Sequence, residues 1–235
     1  MLVLVPVCIF GGTYGDFQND VYTVALYYFE GNANDETDNY NGTVTGAIST
    51  QFGNFGQAYT FDGIDDAINT NLSSHYTKIS IEMWVYLNGW GESALGRLID
   101  KRTNNSEVFN FMVEGNNRRL FFTSYWSTNR GVWWSPNDVL SLNTWYYIAL
   151  TYDASSVSNI PKIYLNGESL SLYVDSSPLG IPSETSDPYI IGNRGAHDRT
   201  FDGVIDSVRI SNIIRSDEEI WQYWLLSQGA YGIIE

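Results

Sequence analysis

The sequence is poor in cysteine, histidine and basic residues. Its single cysteine, Cys8, excludes an intrachain disulfide, so no covalent link holds the fold together. Twelve lysines and arginines against 27 aspartates and glutamates give a net charge of −15. Such an acidic surface disfavours nucleic acid and anionic membranes as partners and favours cations. The two histidines, His75 and His197, lack the spacing of a zinc site or a catalytic triad.

Long apolar runs and helical patterns are also scarce. The apolar start Met1–Phe10 is too short to span a bilayer, is interrupted by Pro6 and lacks a positively charged leader. We interpret residues 1–20 as an N-terminal strand or arm, with a weak signal peptide as the alternative. Helical signal comes only near the end, where Ser216 and Glu219 form a capping box. A short helix is predicted over about 217–226, with an apolar face formed by Ile220, Trp221, Trp224 and Leu225.

Short alternating segments rich in β-branched and aromatic residues dominate the chain. Lys78–Leu87 (KISIEMWVYL) alternates most strongly and predicts one apolar strand face, made of Ile79, Ile81, Met83, Val85 and Leu87. Gly56–Thr70 predicts a pair of strands around the turn dipeptide Asp62-Gly63. Turn signals recur at roughly ten-residue spacing, which is typical of an all-β sandwich or barrel. The length fits one large domain.

One aspartate interrupts the pattern of the strand predicted at Gly203–Ile210. Asp206 shares its parity with Val204, Val208 and Ile210, whereas Arg209 has the opposite parity. A carboxylate on an apolar face must be hydrogen-bonded, ion-paired or bound to a metal, because burying it bare is costly. By parity, Arg209 is poorly placed to be its partner.

Six segments resemble, in the same order, those of laminin G-like domains of the concanavalin A-like lectin/glucanase superfamily. The most specific is F-x-G-x-I-D-x-V-R-I, and together the segments cover Leu26–Gly46, Gly56–Thr70, Ile79–Leu87, Leu142–Asp153, Lys162–Glu168 and Phe201–Ile210. The resemblance implies a jelly-roll sandwich of two antiparallel sheets over residues 21–235, with a short C-terminal helix.

Catalytic patterns are not found. Related jelly-roll glycoside hydrolases carry paired acids on one strand in an E-x-D-x-x-E arrangement, and their reaction requires two carboxylates. The corresponding strand here has Glu82 alone, next to Trp84 and Tyr86 on its parity. No G-x-S-x-G nucleophile motif occurs, and the glycines at Gly11–Gly15 lack the lysine of a phosphate-binding loop. We therefore expect no enzymatic activity.

The acidic residues offer candidate cation ligands. The resemblance implies a structural calcium between the opening and closing strands, and the matching positions are Glu30 and Asp206. The alternative is that Asp206 accepts backbone hydrogen bonds and Glu30 is solvated. A second cluster, Asp62, Asp65 and Asp66, is explained by turn chemistry.

Four tryptophans in polar, loop-like stretches are candidate ligand-binding residues: Trp90, Trp126, Trp133 and Trp134. Adjacent residues of a strand face opposite ways, so one of Trp133 and Trp134 is expected to be exposed or at an interface. Packing at the rim of the core is the alternative for each of them.

These observations favour a non-catalytic, lectin-like binding or adhesion module that recognises a carbohydrate or protein surface. One alternative is a structural or decoration subunit of a virion surface or appendage, since the chain shows neither a convincing export signal nor a disulfide. A divergent glycoside hydrolase is the third. The first two place the protein outside the cell or on a virion.

Overall fold

The computed structural model describes residues 17–102 and 107–228. Within these ranges the chain forms antiparallel strands and one C-terminal helix, as predicted. The strands are β1 Thr23–Tyr27, β2 Thr43–Thr45, β3 Ile48–Thr50, β4 Ala58–Asp62, β5 Ala67–Asn69, β6 Lys78–Leu87, β7 Arg97–Arg102, β8 Glu107–Glu114, β9 Arg119–Ser124, β10 Gly131–Trp134, β11 Trp145–Asp153, β12 Lys162–Leu165, β13 Glu168–Ser169, β14 Tyr173–Ser176, β15 Tyr189–Ile191 and β16 Asp202–Ser211, and the helix is α1 Asp217–Ser227.

The strands form two sheets that pack face to face as a β-sandwich. Sheet A has the order β13-β12-β11-β6-β16-β4-β3, and β1 also pairs with β16. Sheet B has the order β14-β10-β9-β8-β7-β15-β5-β2. The two ten-residue strands, β6 and β16, lie side by side at the centre of sheet A.

The core between the sheets is built from the predicted alternation. All five apolar residues of one β6 face lie in it, which confirms that prediction. Sheet B contributes aliphatic side chains and aromatic rings, among them Phe111 and Phe122, whose centroids are 6.5 Å apart. Burial of such large side chains supplies most of the driving force for folding.

A second apolar layer covers the outer face of sheet A. Helix α1 lies over it and contributes Ile220 and Tyr223, whose ring stacks on Phe17 with 4.2 Å between centroids. The predicted capping box is present, since Ser216 Oγ accepts from Glu219 N at 3.2 Å and Glu219 Oε2 accepts from Ser216 N at 2.7 Å. Trp221, expected on the packed face, is 41% exposed.

Beneath the helix, an ion pair is buried on the outer face of sheet A. Glu82 and Arg209 oppose each other on β6 and β16 and form two hydrogen bonds of 2.8 and 2.9 Å. The Tyr147 hydroxyl donates to the same carboxylate at 2.6 Å, and Arg215 Nε lies 3.6 Å from it. The pKa of Tyr147 lies well above its usual value because the hydroxyl is buried and faces the Glu82 carboxylate.

The same two arginines hold the start of the described chain. The Arg209 guanidinium lies 4.7 Å from the centroid of the Phe17 ring and donates to the Gln18 carbonyl at 3.3 Å. Arg215 pairs with Asp20 through bonds of 2.8 and 2.9 Å. Burial alone would raise the pKa of Asp20, but hydrogen bonds and charge from Arg215 lower it to about 2. Residues 17–20 are therefore attached to sheet A, whereas residues 1–16 of the predicted arm lie outside the described residues.

Three local predictions are wrong. The strands on either side of the Asp62-Gly63 turn, β4 and β5, do not pair as a hairpin, because β4 belongs to sheet A and β5 to sheet B. The sequence pattern also predicts one strand over Ser169–Val174, but the structure has two short strands there, β13 in sheet A and β14 in sheet B. The stretch around Trp133, interpreted as a loop, contains strand β10.

No helix in residues 17–102 or 107–228 combines the length and the apolarity that a membrane crossing requires.

We predict that breaking the buried pair destabilises the protein strongly. Arg209→Met leaves the Glu82 carboxylate buried without its main partner, so the free energy of unfolding should fall by about 3–5 kcal/mol. Denaturant unfolding followed by tryptophan fluorescence measures this loss. The control is Arg118→Met, which breaks an exposed pair with Asp138 and should cost less than about 1 kcal/mol. Equal, small losses in both variants would contradict the prediction.

Candidate functional site

Two of the four predicted tryptophans are in the core. Trp133 is 1% exposed and stacks on Phe122 with centroids 5.8 Å apart. Trp126 is 7% exposed, and its indole Nε1 donates to Ser124 Oγ at 3.1 Å. Neither ring presents a face on which a ligand could stack, so the burial removes the basis for proposing them as ligand-binding residues.

The other two tryptophans are only half-buried. Trp134 faces away from the core, as expected for the neighbour of Trp133, and the Arg119 guanidinium lies 4.4 Å from its ring centroid. Phe121 stacks on it at 5.6 Å. Trp90 packs at the rim of the core. For these two residues ligand binding stays a prediction.

A bulge in β16 changes the faces that the sequence pattern indicated. Ser207 has a positive φ of 44° and has no partner in the pairing with β6, whereas Asp206 opposes Trp84 and Val208 opposes Met83. Val208 and Ile210 therefore point into the core, and Asp206 points to the outer face. The inference from parity that Asp206 and Arg209 lie on opposite faces is wrong, because the extra residue between them reverses the alternation.

Glu30 and Asp206 both bind the same loop. Asp206 Oδ2 accepts from Phe55 N at 2.8 Å, and Glu30 Oε1 accepts from Gln57 N at 3.1 Å. Ser207 Oγ donates to the other Asp206 oxygen at 3.2 Å. A bond from a backbone N–H to Asp206 is what we expect if this residue is an ordinary hydrogen-bonded strand residue, which is the alternative to a calcium ligand. Calcium takes six to eight oxygen ligands, so a site here would need carbonyl or water oxygens besides these two carboxylates.

A groove of 510 Å³ opens on the outer face of sheet A beside this loop. Its floor is one row of residues that oppose one another across four neighbouring strands. Trp145 of β11 opposes Tyr86 of β6, which opposes Val204 of β16, which opposes Thr60 of β4. We call it the aromatic groove and define it by its lining residues, Thr50, Phe52, Thr60, Tyr86, Asn88, Trp145 and Val204.

The aromatic groove combines ring faces with neutral polar groups. The Tyr86 and Trp145 rings lie 5.6 Å apart and are tilted by 56°, and both are half-buried. Phe52 is 81% exposed at one side. The Asn88 amide and the Thr50 and Thr60 side chains supply hydrogen-bond donors and acceptors. An apolar floor with a few convergent polar groups is typical of small-molecule sites.

Sequence reasoning did not find this groove, although a signal was available. The second parity of β6 carries Trp84 and Tyr86, and β11 begins with Trp145. Aromatic residues on the parity opposite to the core indicate either a second apolar layer or an exposed site. Here Trp84 joins the layer under α1, and Tyr86 lines the groove.

Carboxylates lie two residues beyond the groove floor on two of the same strands, β4 and β16. Asp62 and Asp202 oppose each other, each two residues beyond a groove residue. Burial and the charge of Asp62 raise the pKa of Asp202, and burial followed by the charges of Asp62 and Asp65 raises that of Asp66. Asp62, Asp65 and Asp66 place one oxygen each within 4.8 Å of one another. The Asp62 and Asp66 carboxylates accept from Ile64 N and Asp62 N, which agrees with their interpretation as turn residues.

A wider cleft of 730 Å³ lies between the edge of sheet A and the start of α1. Its polar side chains bind one another, because Asp217 accepts from Lys162 Nζ at 2.6 Å and from the Tyr164 hydroxyl at 2.7 Å. With these groups already paired, the cleft fits a ligand less well than the aromatic groove.

Comparison with known families identifies the family to which the chain belongs. Residues 61–221 match the family model Laminin_G_3, described as the Concanavalin A-like lectin/glucanases superfamily. The protein belongs to this family. The resemblance inferred from the six segments is thus confirmed. No significant match was found among curated proteins.

Solved structures share the fold at low sequence identity. Domain 4 of AbnA, a GH43 extracellular arabinanase from Geobacillus stearothermophilus determined with arabinotriose, has a TM-score of 0.60 and 18% identity, with 86% of this chain and 98% of that chain covered. The receptor-binding domain of botulinum neurotoxin type G has a TM-score of 0.60 and 17% identity, with 86% and 51% covered. A Trypanosoma rangeli sialidase has a TM-score of 0.64 and 16% identity, with 92% and 34% covered. The protein thus spans nearly all of the arabinanase domain, about half of the toxin domain and about a third of the sialidase.

We predict that calcium stabilises the protein through Asp206 and Glu30. Saturating calcium should raise the melting temperature by about 5–10 °C over a chelator-treated sample, because an ion bound only to the folded state adds a few kcal/mol. Asp206→Asn, which keeps an acceptor for Phe55 N, should abolish this difference. Asp138→Asn, at an exposed carboxylate, should retain it. Equal melting of the parent protein with calcium and with chelator would refute the site.

Proposed function

We propose that the protein is a non-catalytic carbohydrate-binding module and that the aromatic groove is its binding site. The observation that carries the proposal is the row Trp145–Tyr86–Val204–Thr60, which presents ring faces beside neutral hydrogen-bonding groups. The arabinanase domain determined with arabinotriose supports it at the level of the fold.

Sugars suit this chemistry. A pyranose or furanose ring has faces of C–H groups that pack on an aromatic ring and edges of hydroxyl groups that need hydrogen-bond partners. The Tyr86 and Trp145 rings supply the aromatic surface, and Asn88 with Thr60 supplies the hydrogen-bond partners. A groove of 510 Å³ has room for one to a few sugar units.

The position of Glu82 supports a role without catalysis. It is fully buried, its carboxylate is paired with Arg209, and α1 and Phe17 cover the surface above it. A general acid or nucleophile must reach the glycosidic oxygen or the anomeric carbon, and this carboxylate has no path to a substrate. We therefore favour binding over glycoside hydrolysis.

An assembly subunit is the second candidate function. Strand β14, at the edge of sheet B, and the loop after it expose four apolar side chains: Tyr173 at 60%, Val174 at 48%, Leu179 at 55% and Ile181 at 70%. An uncovered edge strand with such residues is suited to pairing with another chain. In both candidate functions the protein acts outside the cell or on a particle surface.

We predict that groove variants lose glycan binding. On an array of neutral oligosaccharides that includes arabinotriose, the parent protein should bind at least one glycan. Trp145→Ala should weaken that binding at least tenfold, equivalent to about 1.4 kcal/mol of lost stacking. Phe52→Ala should also weaken it without loss of stability, because that ring is 81% exposed.

The control is Tyr173→Ala, which removes an exposed ring at the edge of sheet B and should leave binding unchanged. Trp134→Ala tests the sequence prediction that Trp134 binds the ligand. Loss of binding in Trp134→Ala but not in Phe52→Ala would move the site to sheet B. Absence of binding to every glycan would refute the proposed function.

The assembly alternative has its own prediction. Val174→Lys and Ile181→Lys place charge on the exposed apolar patch and should convert any self-associated form into monomers, which sedimentation velocity measures. The control is Ile64→Lys, at a side chain that is 66% exposed near Asp62 and away from β14. A parent protein that remains monomeric at high concentration would contradict pairing of this edge with a second copy.

A further inference from the structure

We infer that the aromatic groove selects uncharged glycans and that Asp62 and Asp202 are the residues that exclude anionic ones. The inference rests on the proposed function, because it names the class of sugar that the same site accepts. Its basis is the position of these carboxylates relative to the groove floor together with the absence of charge among the groove's described lining residues.

Strand register places both carboxylates next to the groove. Thr60 and Val204 oppose each other in the floor, and two residues further along the same strands Asp62 opposes Asp202. Side chains two positions apart in a strand point to the same face and lie about 7 Å apart. A backbone hydrogen bond holds Asp202 beside the groove residue Asn88, because the Asn88 N–H donates to the Asp202 carbonyl at 3.1 Å.

The lining residues offer an anion no compensating charge. The seven described lining residues are threonines, an asparagine, a valine and aromatic residues, all neutral at pH 7. On the other side of the row, Asp206 lies two residues from Val204, is fully buried and accepts from Phe55 N. A sugar acid in the groove would therefore lie beside the Asp62 and Asp202 carboxylates with no basic side chain among the described lining residues to offset them.

The ionisation of the acidic end agrees with this placement. Burial, followed by the charge of the neighbouring Asp62 carboxylate, raises the pKa of Asp202, so repulsion between these two carboxylates is part of the cause. An incoming carboxylate or sulfate would add to it. The net charge of −15 acts in the same direction at longer range.

Neutral and anionic oligosaccharides of related structure test the inference. The probes are trigalacturonate, its neutral methyl ester and galactotriose, together with lactose and sialyllactose, with affinity measured by calorimetry at low ionic strength. The parent protein should bind the neutral member of a pair at least about fivefold more tightly, because the Asp62 and Asp202 carboxylates repel an anionic group held in the groove. Added salt should reduce this preference.

Variants identify the residues responsible. In the double variant Asp62→Asn, Asp202→Asn the amide oxygen of residue 62 can still accept from Ile64 N. This variant should gain about fivefold in affinity for the anionic member, with no change for the neutral one. The control Asp138→Asn, at an exposed carboxylate paired with Arg118, should change neither affinity.

The outcomes separate the two proposals. If the parent protein binds anionic sugars as tightly as neutral ones, or if the double variant does not change the ratio, the inference about charge is refuted and the proposed function stands. If it binds none of the five probes and no glycan of the array, both are refuted.

Discussion

The apolar layer on the outer face of sheet A depends on the buried Glu82–Arg209 pair. The pair lies at the centre of sheet A between its two longest strands, and both side chains are removed from water. Isolated charges could not be buried there, so the covering layer and the pair require each other. Phe17 and Tyr223 shield Arg209, and Tyr147 satisfies one carboxylate oxygen. Helix α1 and the segment preceding β1 thus form one unit with the centre of sheet A.

The bulge at Ser207 makes this arrangement possible. If Ser207 continued the strand without a bulge, strict alternation would place Arg209 on the core side and Val208 on the outer side. With the bulge, Ile205, Val208 and Ile210 all face the core, while Asp206 and Arg209 both face outward. One backbone irregularity therefore serves two purposes: it keeps the core apolar, and it brings an arginine opposite the only acidic residue of β6.

Sequence patterns were informative where local chemistry decides the structure. The β6 alternation and the Ser216 capping box were predicted correctly because each depends on residues a few positions apart. Patterns failed where the outcome depends on register between distant segments. The Asp62-Gly63 dipeptide specifies a turn but not whether the next strand joins the same sheet. Likewise, alternation shows that Trp133 and Trp134 face opposite ways, and only packing against Phe122 determines that Trp133 is the buried one.

The aromatic groove could not be found from any one segment, since its floor draws one residue from each of four strands. Its flanks are set by the same register, which carries Asp62 and Asp202 to one end and Asp206 to the other. Sheet A thus changes character along its outer face. The carboxylates of Asp62 and Asp202 at one end are followed by the rings of the groove, then by Trp84 and Tyr147, and finally by the shielded Glu82–Arg209 pair. Solvent access falls in the same direction, because Phe55, Phe17 and α1 cover successive rows. We therefore propose that a ligand binds over the rows that no described residue covers, where the ring faces attract it and the carboxylates beyond them select its charge.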